Sequence, residues 1–163
     1  MILALDCASK TGWAIARNDG SIVESGMQNF TKKRGESNGL MFLRFRKWIV
    51  DTVKLSKSFM QEGDDYVLVA YEKAHFRGGA ATEICVGLQT RCQEVAVEFG
   101  YESAGVATGT LKVVATGKGK ASKAEMIKAA EHIIGRPPVD DNEADAVMIA
   151  QWAAQTYTNV TKA

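Results

Sequence analysis

Two apolar runs in this chain each stop on a carboxylate. Ile2-Leu3-Ala4-Leu5 ends at Asp6, and "DYVLVAYE", rich in Val and aromatics, ends at Glu72. An ionised acid beside a core is costly unless something pairs with it. Each is therefore a turn or strand-end residue reaching solvent, or part of a charged site. A third supply of acid lies in Asp140-Asp141-Asn142-Glu143-Ala144-Asp145-Ala146. Asp145 sits there among small and apolar residues, and Asp141 and Asn142, at i−4 and i−3, share its helix face. The competing reading makes Asn142 the helix N-cap, with Asp145 completing a capping arrangement that suits the helix dipole. Carboxylates gathered at one place repel each other unless cations lie between them. Hard oxygen ligands without His or Cys point to Mg²⁺ or Mn²⁺. Two such ions clamp the attacking and leaving oxygens in phosphodiester cleavage.

Whether the acids meet depends on the elements that carry them. "ILALD" and "GWAIARNDGSIVESGM" read as three strands in an antiparallel meander, with Asp19-Gly20 a two-residue hairpin signal. "SNGLMFLRFRKWIVDTVKLSKSFMQEG" reads as a helix, with Leu40, Leu43, Trp48, Ile49, Val53 and Met60 at roughly helical spacing and Gly63 as its C-cap. "DYVLVAYE" is the fourth strand, with the look of a buried parallel one. A helix from about Ala80 to Phe99 follows the loop "HFRGGAATE", then a fifth strand in "YESAGVA". Helices follow in "TGTLKVVATG", in "ASKAEMIKAAEHIIG" behind a Ser122/Glu125 capping box, and in "DDNEADAVMIAQWAAQTY". A right-handed crossover lays the fourth strand beside the first, so Asp6 and Glu72 become neighbours near the middle of the sheet.

The totals exclude several alternatives. At 163 residues, 46% hydrophobic and 24% charged, the chain reads as one globular α/β domain over 1–163. A net charge of +1 rules out a bulk polycation, so a polyanion must be held by local patches. Cys7, Cys85 and Cys92 are odd in number and lack C-x-x-C spacing. They read as free thiols in a reducing compartment, with Cys85 and Cys92 on one helix face as core. His75 and His132 are too few and too distant for a His-based metal cage. No run is long enough to span a bilayer, and a cytoplasmic location is expected.

"LDCASKTGWAIA" resembles the opening of RuvC-type Holliday junction resolvases of the RNase H-like superfamily, in the compact size of phage or bacterial members. In that family an Asp ends the first strand and a Thr-Gly-aromatic step, here Thr11-Gly12-Trp13, begins the second. The likeness runs on in order through "VAYEKAHF", "LKVVATGKGKASKAEM" and "DNEADAVMIA". It implies a five-stranded mixed sheet, three antiparallel strands plus two parallel ones, flanked by helices. It also implies a homodimeric, metal-dependent endonuclease that resolves four-way or other branched DNA with two Mg²⁺ ions per site, Mn²⁺ substituting. Asp6, Glu72 and Asp145 match the metal-binding catalytic acids. Lys112 and Lys123 match lysines that bind DNA phosphates, and His75 and Phe76 fall where an aromatic enters the junction. Two positions depart from the pattern. Ala8 stands where the family has Gly, which asks for a backbone without positive φ there. Asn142 stands where the family has its fourth acid, leaving Asn142 or Asp141 to serve.

Lys112, Lys118, Lys120, Lys123 and Lys128 share their stretch with one acid, Glu125. Alone such a run is a solvated face. Beside a two-metal site it becomes a phosphate track, and Arg77 joins the DNA-contacting residues. Phe76 either anchors its loop or stacks on an unpaired base. Two other functions stay in view: an actin-like or sugar-kinase-type ATPase domain, whose first strand also ends on Asp, and a junction-binding protein with weak or no catalysis. The helix from about Ala80 to Phe99 is the expected contributor to a dimer interface.

Overall fold

The computed structural model describes residues 1–64, 67–75 and 78–157. Its sheet has the order β3-β2-β1-β4-β5, from β1 (Ile2–Asp6), β2 (Lys10–Ala16), β3 (Ile22–Asn29), β4 (Leu68–Glu72) and β5 (Ser103–Val106). β1 pairs antiparallel with β2, which pairs antiparallel with β3, while β1–β4 and β4–β5 are parallel. The expected meander plus two parallel strands is what forms. The helices are α1 (Asn38–Ser58), α2 (Gly79–Glu98), α3 (Thr108–Thr116), α4 (Lys123–Ile134) and α5 (Asp141–Tyr157). No helix among the described residues is long and apolar enough to cross a membrane.

Strand periodicity sends alternate side chains to opposite faces. Leu3, Leu5, Ile15, Val69 and Tyr71 pack with Met41, Phe45, Ile49 and Val53 of α1 and Leu88, Cys92 and Val95 of α2. Ile2, Ala4, Ala14, Leu68 and Ala70 pack with Ala144, Val147, Ala150 and Ala153 of α5. Alanines on both sides of that second layer let α5 lie close to the sheet. Ala4 pairs with Ala70, so Asp6 and Glu72, each two residues on, continue the α5-facing rows at adjacent strand ends.

α5 is fixed by two further devices. Gly12 of β2 lies against its first turn, where a Cβ would come within 1.8 Å of the Asn142 carbonyl oxygen. Glu143 is fully buried and forks onto Arg136 (Oε1–Nη2 2.6 Å, Oε2–Nη1 3.3 Å), while accepting from Ser25 Oγ at 2.6 Å. Burial alone would raise the Glu143 pKa, but Arg136, Ser25 and the Val139 N–H outweigh it and hold the carboxyl below its ordinary range. A buried charge is tolerated when so completely paired.

Several local expectations are corrected. α1 ends at Ser58 with Phe59 as its C-cap, the Phe59 N–H donating to Ser56 O, and Gly63 lies beyond it with φ +93°. The buried stripe of α1 is Met41, Phe45, Ile49, Thr52, Val53 and Ser56, whereas Leu40 and Leu43 are exposed. Residues 17–21 join β2 to β3, and the Arg17 N–H to Ser21 O bond encloses Asn18, Asp19 and Gly20, the last at φ +90°. Asp19 prefers to accept from the Ser21 N–H and Oγ, which fixes this wider turn. Cys92 is core, but Cys85 is half-buried at the cleft described below. Cys7 and Cys92 are free thiols with Sγ atoms 3.4 Å apart, and that contact followed by burial raises Cys7 well above a normal thiol. Ala8 has no positive φ, as its side chain requires.

Candidate active site

At the carboxyl ends of β1 and β4, where open α/β sheets commonly place ligands, the chain forms a cleft. Asp6, Glu72, Asp141, Asn142 and Asp145 line it, together with Ala8, Lys73, His75, Cys85, Gln89 and Lys123. An adjoining cleft shares Glu72, Asp141, Asp145 and Lys123 and adds Thr108 and Lys112. The three acids whose strands and helix were expected to converge do so. Thr11 closes the β1–β2 turn beneath them, its hydroxyl donating to Ala8 O at 2.6 Å.

The carboxylates differ in what holds them. Asp141 is ion-paired with Lys123, which lowers its pKa. Glu72 accepts from the Thr108 hydroxyl, and Gln89 Nε2 donates to its backbone oxygen at 2.8 Å. Asp6 and Asp145 have no side-chain hydrogen bond among the described residues. Burial raises the Asp6 carboxyl well above its usual range, and the charges of Asp145, Glu72 and Asp141 add to this. Burial, then Glu72 and Asp141, push Asp145 up to about 7 against the pull of Lys123 and Lys112.

Asn142 is not the cap. The Asp140 carboxylate accepts from the Glu143 N–H at 3.0 Å and caps α5, because the helix starts two residues earlier than an Asn142 cap would place it. Asn142 Nδ2 donates instead to Asp140 Oδ2 at 3.0 Å, with the residue on the cleft wall. Lys112 and Lys123 stand at the acids. Lys118 and Lys120 stand exposed on the α3–α4 loop and line neither cleft. His75 lies at the cleft with Nε2 3.9 Å from Glu72 Oε1. Phe76 and Arg77 lie outside the described residues. Sequence reasoning missed Thr108 and Gln89, since a lone Thr at a helix start and a lone Gln in mid-helix carry no motif.

A structure of RuvC from Thermus thermophilus superposes with a TM-score of 0.74 at 16% identity, covering 98% of this chain and 96% of that one. T. thermophilus RuvC in complex with a Holliday junction substrate superposes at 0.73 and 16%, covering 98% and 95%. The chain has the RuvC fold. No family model and no curated protein matches the sequence, so the likeness to RuvC rests on three-dimensional structure.

Among the described residues no group of three His, Cys, Asp or Glu side chains is drawn together tightly enough to hold a metal ion. The donor chemistry of this cleft nonetheless fits a hard divalent cation. Its acids offer only carboxylate oxygens, and its lysines do not offset the burial and mutual repulsion of Asp6 and Asp145.

Burial and that repulsion together have a measurable consequence. A carboxyl with a raised folded pKa stabilises the fold fully below its unfolded value, and this contribution is lost as pH rises through the folded pKa. For Asp145 the window runs from about 4 to about 7. In EDTA at pH 8, Asp145→Asn should melt several degrees above the wild type, the shift implying at most roughly 4 kcal/mol. The gap should close as pH falls toward 4, measured by thermal melts across that range. A gap unchanged by pH would mean that neither burial nor its neighbours raise the Asp145 carboxyl.

Proposed function

We propose that this chain is a Mg²⁺-dependent endonuclease that cuts branched DNA, four-way junctions foremost, by paired nicks from a homodimer. The observation that carries this reading is the convergence of Asp6, Glu72 and Asp145, from β1, β4 and α5, on one cleft at the sheet's carboxyl end. It is supported by the fold, shared with a RuvC solved in complex with a Holliday junction substrate. Asp6, Glu72 and Asp145 hold the ions, with Asn142 or Asp141 in the fourth place.

Mg²⁺ held by Asp6, Glu72 and Asp145 would supply Lewis-acid activation of water and charge stabilisation at the scissile phosphate. The chain's own residues do the rest. Lys112 and Lys123, on the cleft wall, draw phosphate toward the acids without reading sequence. Lys123 also neutralises Asp141, so a phosphate that engages Lys123 competes with that acid for it. Lys118 and Lys120 extend the positive charge along the α3–α4 loop.

The dimer supplies the two cuts that a nearly two-fold symmetric junction needs. Exposed apolar side chains support the expected interface. Leu40 and Leu43 of α1 and Val86 of α2 face solvent, on helices that meet where Phe42 packs over Gly87.

The decisive experiment is nicking of a synthetic four-way junction with and without Mg²⁺, beside linear duplex and beside ATP. Paired Mg²⁺-dependent nicks on the junction, by a species that sediments as a dimer on it, are expected. Tight junction binding without nicks would favour a binding protein, and ATP hydrolysis without DNA cleavage a different enzyme class.

A further inference from the structure

Glu72 is held by a hydroxyl that the fold has taken from its ordinary employment. Thr108 is the first residue of α3, whose N-cap Ala107 contributes no side-chain bond. A Thr hydroxyl at a helix start commonly serves the helix's own end, yet Thr108 Oγ1 turns away and donates to Glu72 Oε1. Its single proton is thereby committed, so the contact between His75 Nε2 and Thr108 Oγ1 has the imidazole N–H as donor. The result is a directed chain from His75 through Thr108 to one oxygen of Glu72.

The backbone makes this chain stiff. Glu72 pairs with Val106 of β5, two residues before Thr108, and the Lys73 N–H donates to Val106 O at 2.8 Å. Gln89 of α2 holds the Glu72 carbonyl from the other side. One carboxylate oxygen of Glu72 is thus fixed as well as its main chain, whereas the Asp6 and Asp145 carboxylates have no such donor among the described residues.

We propose that Thr108 is a positioning residue that, oriented by His75, presents Glu72 to the divalent cation in a single orientation. This rests on the cation reading above. A Glu side chain has three rotatable bonds, and ordering it only when the ion arrives weakens binding. A neutral donor to one oxygen settles that orientation beforehand and leaves the carboxylate its charge. Partners of this kind behind a metal ligand commonly set affinity by 10- to 100-fold.

The test is Mn²⁺ binding to the full chain without DNA, followed by electron paramagnetic resonance of the free ion. Thr108→Val, close in shape and without a donor, should weaken Mn²⁺ binding by about 10-fold. Thr108→Ser should restore it to near the wild-type value, and metal-free melting should show both variants folded. If Thr108→Val does not fold, His75→Ala replaces it, removing the orienting donor at an exposed side chain, with weaker Mn²⁺ binding again expected. Wild-type Mn²⁺ affinity in the folded variant, with binding lost in Glu72→Gln, would overturn the positioning role and leave the cation reading standing. A wild-type chain that binds no Mn²⁺ would overturn both.

Discussion

Asp6→Asn and Glu72→Gln should each slow Mg²⁺-dependent junction cleavage by at least about 10³-fold, roughly 4 kcal/mol of transition-state stabilisation, while junction binding is kept or improved. Each change swaps a charged oxygen ligand for a neutral group of nearly the same shape. Phosphate approaching the cleft then meets one negative charge fewer, whereas an ion meets one ligand fewer. Folding should not suffer at Asp6, whose carboxyl is already raised by burial and by Asp145, Glu72 and Asp141. An Asn there removes a repulsion rather than a bond. Glu72→Gln keeps an oxygen able to accept from Thr108, so the β4 end should stay in place. Single-turnover cleavage and a binding assay in EDTA separate the two effects. Wild-type cutting in either variant would sink the two-metal assignment, and joint loss of binding and cutting would point to misfolding instead.

The acids were legible because strand chemistry is simple. An apolar run of period two that stops on a carboxylate leaves few places for that charge, and a right-handed crossover sets which strands are neighbours. Helix faces were harder. Leu40 and Leu43 satisfy helical spacing, yet the face that docks is set by Phe45 and Ile49 meeting the sheet, which spacing alone does not rank. Helix starts were harder still. Asp140, Asp141 and Asn142 are all competent caps, and the choice of Asp140 depends on where α5 must sit on the sheet. Glu143 carries no role that its place in an acidic helix start would reveal. Its partner Arg136 is seven residues away, but Ser25 lies on β3, and such a buried network leaves no local pattern. Thr108 escaped for the same reason: its meaning comes from Glu72, on a strand 36 residues earlier.

The fold's most sensitive position should be Gly12 rather than any acid. Gly12 pairs with Asp6 across β1 and β2, and its α-carbon faces the first turn of α5. A Cβ there would sit 1.8 Å from the Asn142 oxygen, 2.2 Å from its carbonyl carbon and 2.8 Å from the Glu143 nitrogen. All three are backbone atoms, so no rotamer change relieves the clash. α5 would have to lift, separating Ala144, Val147 and Ala150 from the sheet and straining the Glu143–Arg136 pair. Overpacking commonly costs about 1–3 kcal/mol, and a clash with a helix backbone belongs beyond that range. Gly12→Ala should therefore lose more than about 3 kcal/mol in denaturant melts, a large share of the 5–15 kcal/mol typical of a domain. Gly109 provides the contrast: it lies in α3 without positive φ, and a Cβ there meets nothing within 4 Å. Gly109→Ala should be neutral or stabilising by up to about 1 kcal/mol. Whatever fraction of Gly12→Ala still folds should bind Mn²⁺ poorly, because the helix that lifts carries Asp145 away from Asp6. A Gly12→Ala protein as stable as the wild type would mean that α5 does not lie on β2 as described, and the convergence of the acids would lose its structural basis.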